Sequence, residues 1–88
     1  GLILSKESML IEIEAWIKKF KTKFSDKRLV IYLHPEEAKY IIKEKKQFIK
    51  NFLFKNWMLI DIKPNSELTL NTFMVYSKKQ RKDVTNEV

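Results

Sequence analysis

An α+β domain, with two helices packed on a three-stranded sheet in the order α-β-α-β-β, is the fold class this sequence predicts. Three observations predict it. Apolar residues between Leu10 and Phe24 recur at helical spacing. The stretch Leu29-Val-Ile-Tyr-Leu-His34-Pro35-Glu-Glu-Ala-Lys-Tyr-Ile-Ile42 reads as a buried strand that runs straight into a helix. Two later segments, Trp57–Lys63 and Thr72–Ser77, alternate apolar and polar side chains as half-buried strands do.

The first helix follows a short apolar lead-in, Leu2–Leu4, and has Ser5 and Ser8 as candidate N-caps. Leu10, Ile13, Ile17, Phe20 and Phe24 draw one stripe along it, widened by Met9 and Trp16. Glu12, Lys18, Lys19 and Lys23 take the opposite face, and Glu14 pairs with Lys18 one turn on. The helix is expected to end near Phe24-Ser25-Asp26. The strand Arg28–Leu33 comes next, rich in β-branched and apolar residues. Pro35 suits the first position of a helix, where its missing N–H has no intrahelical partner to lose. Glu36 and Glu37 then put negative charge at the positive end of the helix dipole. That helix is expected to run to about Phe54, with Ala38, Ile41, Ile42, Phe48, Ile49 and Phe52 facing the core and Lys39, Lys43, Lys45, Lys46 and Lys50 outside. Met58, Ile60 and Ile62 form the apolar side of the second strand. Pro64-Asn65-Ser66 is a turn cluster. Phe73 and Val75 oppose Met74 and Tyr76 on the third strand, which is expected to pair antiparallel with the second. Residues 1–77 make up the domain, and the polar, charged residues 78–88 are expected to form a disordered basic tail.

The chain has 88 residues, enough for one modest core. Its hydrophobic fraction of 44% supplies that core, and a single glycine argues against a loop-rich all-β fold. With no cysteine there is neither a disulfide framework nor a thiolate metal site, which fits a reducing compartment. No apolar run is long enough to span a bilayer, and Lys6 and Glu7 interrupt the one early apolar stretch, so no signal peptide is read. The cytoplasm is the expected location. Gly1 in place of Met points to a processed product or an excised piece of a longer chain. The net charge of +7 attracts polyanions in a salt-dependent way. Sixteen of the basic residues are lysines and only two are arginines, the residue that does most bidentate phosphate and base recognition. Charge alone therefore leaves RNA affinity open against an ordinary lysine-solvated surface.

No catalytic constellation is legible. His34, the only histidine, sits where a helix cap belongs and reads as a cap or packing residue rather than an acid–base catalyst. The carboxylates are scattered among lysines, with no converging pair for two-metal phosphoryl chemistry. No Gly-rich phosphate loop and no Cys/His zinc cluster is present. Candidate RNA contacts are Lys43, Lys46 and Lys50 on the second helix, and Lys78, Lys79, Arg81 and Lys82 beyond the last strand. The competing reading makes each of these a solvated charge. Trp16, Tyr32, Trp57 and Tyr76 are candidate interface residues. Tyr32, Trp57 and Tyr76 read either as stacking platforms on an exposed sheet face or as residues covered by a partner.

The strand leading to His34-Pro35-Glu36, with Ala38, Tyr40-Ile41-Ile42, Glu44 and Lys45, resembles the segment V-x-x-H-P-x-V-A-x-Y-L-L-N-E-x-R of the ribonuclease E/G family, from its C-terminal small domain. Gly1-Leu2-Ile3, Glu7-Ser8 and the helix carrying Ile11, Ile13 and Ile17 resemble G-T-G-x-V-x-x-x-E-S-x-x-x-x-I-x-R, which follows the family's zinc-binding knuckle. Lys63-Pro64-Asn65-Ser66-Glu67-Leu68, with Phe73 and Val75, resembles the closing R-A-D-P-x-L-H-x-E-x-F-x-I. Ile42 and Lys43 depart from the usual Leu and Asn. The resemblance implies a single-strand-specific endoribonuclease that processes ribosomal RNA and turns over messenger RNA. It also implies that the catalytic aspartates with their Mg²⁺, the zinc knuckle and the main RNA-gripping modules lie upstream of Gly1. No catalytic, metal or cofactor residue is therefore carried onto this chain. The role it implies here is subunit assembly, in a homo-oligomer that meets RNA through the parent enzyme. Neither a membrane nor a small-molecule substrate is expected. An autonomous KH-like RNA-binding module is the alternative, although its G-x-x-G backbone clamp is missing.

Overall fold

The structure, a computed structural model, describes residues 6–88. The Leu2–Leu4 lead-in, the candidate cap Ser5 and the Gly1-Leu2-Ile3 part of the resemblance lie outside the described residues. The elements are α1 (Lys6–Lys23), β1 (Arg28–Leu33), α2 (Pro35–Glu44), α3 (Lys46–Asn56), β2 (Leu59–Pro64), β3 (Phe73–Ser77) and β4 (Lys82–Asp83). The domain is α+β, with its strands in the order β2-β1-β3-β4. Ser8 lies inside α1 rather than capping it.

The α1 stripe packs as its spacing dictates. Met9, Leu10, Ile13, Trp16, Ile17 and Phe20 are buried, and Phe24 packs partly buried against them. Trp16 stacks on Phe20 at 5.0 Å and Phe20 on Phe24 at 4.9 Å between ring centroids. Phe73 meets Trp16 edge-on at 6.5 Å. Leu29, Ile31 and Leu33 of β1 and Val75 of β3 join the same core, together with Ala38 and Ile41 of α2. Strand side chains alternate between faces. The helices therefore cover the face bearing Ile31 and Val75, and no described element covers the other.

The sheet order differs from the hairpin expected between the last two long strands. β1 is central, pairing parallel with β2 and antiparallel with β3, so β2 and β3 never meet. The reason is chemical. In β1, Leu29, Val30, Ile31 and Leu33 are all buried, so this strand gains most from neighbours on both sides. β2 carries Asp61, Lys63 and Pro64, which suit an edge. A parallel pair needs a crossover of a dozen or more residues, and residues 34–58 provide it.

The single long helix expected from Pro35 to Phe54 is two helices, broken at Lys45, whose backbone (φ −119°, ψ 25°) leaves the helical basin. Twenty-odd residues of straight helix would run about 30 Å, against about 20 Å for a six-residue strand. The break lets the crossover turn back over the sheet. It also rotates the apolar stripe. Ala38 and Ile41 are buried and Ile49 and Phe52 are half-buried, whereas Ile42 and Phe48, expected in the core, are exposed.

Residues 78–88 are not a disordered tail. A turn leads into β4, which pairs with β3 through Tyr76↔Asp83 and Ser77↔Lys82. Val84 is fully buried in the core. The Trp16 indole N–H donates to the Thr85 carbonyl at 2.8 Å, and the Val75 N–H donates to Thr85 Oγ1 at 2.7 Å. Val84, the partly buried Val88 and the hydrogen bonds at Gln80, Val84 and Thr85 hold this segment despite its charged composition.

Candidate functional site

His34 caps α2. Its Nδ1 accepts the Glu36 N–H at 3.1 Å, which satisfies one donor of the first turn, and Pro35 fills the position behind it. This is the structural role expected of the only histidine. Nearby, the Asn71 N–H donates to both oxygens of the buried Glu37 carboxylate, at 3.1 and 3.2 Å. That contact holds Asn71 in the left-handed region (φ 66°) and pins the loop between β2 and β3 to α2.

A second buried carboxylate organises the other end of the sheet. Asp26, just before β1, accepts the Ser77 hydroxyl and the Gln80 side-chain N–H, the latter at 2.8 Å. The Gln80 backbone N–H donates to Ser77 Oγ at 3.0 Å. Burial raises the Asp26 pKa, but the hydrogen bonds from Ser77 and Gln80 and the Lys79 charge outweigh it, so the carboxyl sits below its ordinary value of 3.8. The consequence is positional. The turn carrying Lys78 and Lys79 is locked against the start of β1, beside Lys27 and Arg28.

Those four cations and Ser25 line one shallow hollow. Lys79 Nζ donates to Ser25 Oγ at 3.4 Å, and Lys78 lies 3.7 Å from Asp61. A second hollow shares Lys27 and is lined further by Lys50, Leu53, Phe54, Trp57, Met58 and Leu59. Phe54, Trp57 and Leu59 are 85%, 80% and 61% exposed. Trp57 closes α3 in the left-handed conformation (φ 56°, ψ 41°), where its N–H and that of Met58 both reach the Leu53 carbonyl. Leu59 is fixed beside Arg28 by strand register, and its N–H donates to the Lys27 carbonyl at 2.7 Å.

The uncovered sheet face begins where these hollows end, at Arg28, Leu59 and Lys78. Val30 and Tyr32 of β1 share it with Met74 and Tyr76 of β3, and with Asp61 and Lys63 of β2. Register pairs Val30 with Tyr76 and Tyr32 with Met74, so the two tyrosines are diagonal neighbours. Val30 is buried within this cluster, while Tyr32, Met74 and Tyr76 are half-buried.

The structure sorts the sequence candidates accordingly. Lys78 and Lys79 line the first hollow and Lys50 and Trp57 the second, with Lys27 common to both. Lys43 lies apart on α2, beside Glu36 and Glu44. Lys46 is exposed at the start of α3, Arg81 is exposed in a left-handed turn, and Lys82 pairs with Glu87 at 3.0 Å. Trp16 is a core residue, 7% exposed, and offers no surface. Tyr32 and Tyr76 share the open sheet face. Sequence reasoning missed Lys27 and Arg28. The available signal was their place at the start of an apolar strand, Lys27 just before it and Arg28 its first residue. It also missed Asp26 and Glu37, whose loop contacts are long-range.

Among the described residues no group of three or more His, Cys, Asp or Glu side chains could hold a metal ion. No described helix is long and apolar enough to cross a membrane. No family model matches the chain. No curated protein matches it significantly.

Proposed function

We propose that this chain is the small domain of a ribonuclease E/G-type single-strand-specific endoribonuclease, acting in the cytoplasm, and that its role is subunit assembly with at most auxiliary RNA contact. On this reading Mg²⁺ and Zn²⁺ belong to domains upstream of Gly1, and no residue of this chain is assigned to them. The observation that carries the assembly role is the uncovered sheet face. Around the buried Val30 it presents Tyr32, Met74 and Tyr76, the aromatic and apolar chemistry that subunit contacts favour. Its margin carries Asp61 with Lys63 and Lys78, so a second copy related by a two-fold axis can set acids against bases. The positions of the resembling segments support reading them together. His34-Pro35 forms the strand–helix joint, Lys63 and Pro64 close β2, and Phe73 and Val75 lie on the core side of β3.

The alternative, an autonomous KH-like RNA-binding module, is favoured only by the cations gathered around Lys27. The coding sequence directly upstream of Gly1 separates the two. The assembly reading expects a pair of cysteines spaced by two residues there. A start codon at that point contradicts it. In the parent enzyme, Tyr76→Asp is expected to lower the mass of the native assembly; an unchanged mass contradicts the assigned face.

A further inference from the structure

We propose that the corner made by Phe54, Trp57 and Leu59, together with the cationic hollow beside it, is a binding site for single-stranded nucleic acid, its bases stacking on Trp57 and Phe54 and its phosphates lying along Lys27, Lys50 and Lys79. The site adjoins the open sheet face at Arg28, Leu59 and Lys78 but is centred on Trp57, off the strands. It relies on the family reading only for the choice of RNA as probe.

Three observations converge on it. The first is exposure that the fold does not explain. Phe54 and Trp57 are 85% and 80% exposed at the end of one helix, where polar residues would be expected. The second is backbone. Trp57 holds a left-handed conformation (φ 56°), a position that glycine fills most readily, so a bulky ring is kept there against local preference. The third is charge. Lys27 belongs to both hollows, and no Asp or Glu lines either of them. Of the acids that flank them, Asp61 faces Lys78 at 3.7 Å, and the buried Asp26 is taken up by Ser77 and Gln80.

The occupant follows from that combination. A second copy docked on this corner by a two-fold axis would set the cluster of Lys27, Arg28 and Lys50 against the same acid-free cluster of its partner. A duplex offers phosphates but keeps its base faces stacked inside. An acidic peptide satisfies the lysines but has no reason to need two bare aromatic rings. A single strand presents phosphates and unstacked π-faces in alternation, and aromatic rings beside a basic track are what such strands bind. The Asp26–Ser77–Gln80 lock adds preorganisation, since it fixes the turn bearing Lys79 before any ligand arrives.

The test titrates the 88-residue chain into labelled oligouridylate of about ten nucleotides, following anisotropy and tryptophan fluorescence together. Trp16 is buried, so quenching reports on Trp57. Expected results are quenching on binding, affinity weakened about ten-fold or more in Trp57→Gly, and a salt slope lowered by about 0.7 for each of Lys27→Gln and Lys79→Gln. Equal affinity in Trp57→Gly overturns the proposal, because the charge field alone would then account for binding. So does a duplex, or an oligoglutamate of equal charge, that binds as tightly as the single strand. Sedimentation of the same samples keeps the two surfaces apart. If Trp57→Gly lowers the mass and leaves RNA binding intact, the corner is a subunit contact and the proposal fails. If wild type shows no RNA binding at all, the proposal fails while the assembly reading stands.

Discussion

Replacing Trp57 by glycine and by alanine separates the backbone at this corner from its ring. In the interior of a helix, alanine is favoured over glycine by about 1 kcal/mol, because glycine loses more freedom on folding. Residue 57 is not in the interior. It closes α3 with φ 56° and ψ 41°, and its N–H returns to the Leu53 carbonyl. An L-residue in this left-handed basin is disfavoured by about 1–2 kcal/mol, a strain that alanine retains and glycine lacks. Against that, glycine raises the entropy of the unfolded chain by about 0.4–1 kcal/mol relative to alanine. The net expectation is that Trp57→Gly is more stable than Trp57→Ala by about 0.5–1 kcal/mol. Both variants lose the same ring contacts, and those are few, because the side chain is 80% exposed. For a domain of this size the difference corresponds to about 2–8 °C in Tm. Thermal melts followed by circular dichroism read it directly. An alanine variant as stable as the glycine variant, or more so, refutes the reasoning, since that is the order a helix-interior position gives.

Other predictions concern contacts that cross the chain. Deleting residues 84–88 removes the fully buried Val84 and the partner of the Trp16 indole, and is expected to destabilise by at least about 2 kcal/mol. A urea midpoint equal to that of the full chain would restore the view of this segment as a tail. Asp26→Ala strands the Ser77 hydroxyl and is expected to cost about 1–3 kcal/mol at pH 7. Because the folded Asp26 pKa lies below its ordinary value, the ion contributes stability above pH 3.8 that is lost as pH falls through the folded value. The gap between wild type and variant should therefore close in acid, and a gap that widens there contradicts the lock. Glu37→Ala leaves the Asn71 N–H without its acceptor. It is expected to cost about 1–3 kcal/mol and to speed hydrogen exchange at Asn71, whereas unchanged exchange would deny the contact its role.

Local chemistry was legible from the residues, and long-range pairing was not. The α1 stripe, the apolar run of β1 and the His34-Pro35 joint each follow from neighbours within a few positions, and each is found as read. Strand order follows from competition among whole strands. β1 takes the centre because four of its six residues are buried, which leaves β2 an edge. The break at Lys45 has no Gly or Pro to announce it, and it answers to the length of the sheet beneath. Residues 78–88 misled through composition, since two valines and the contacts of Gln80 and Thr85 anchor an otherwise charged stretch. Lys27 and Arg28 joined the candidate site only because register sets them beside Leu59 and the locked turn sets them beside Lys79.

Sedimentation equilibrium of the 88-residue chain, over a wide range of concentration and at low and near-physiological salt, tests most directly the claim that this is an assembly domain acting through its open sheet face. The account predicts reversible self-association that is lost in Tyr76→Asp and retained in Trp57→Gly. A wild-type chain that stays monomeric throughout, or a Tyr76→Asp variant that associates as wild type does, contradicts it.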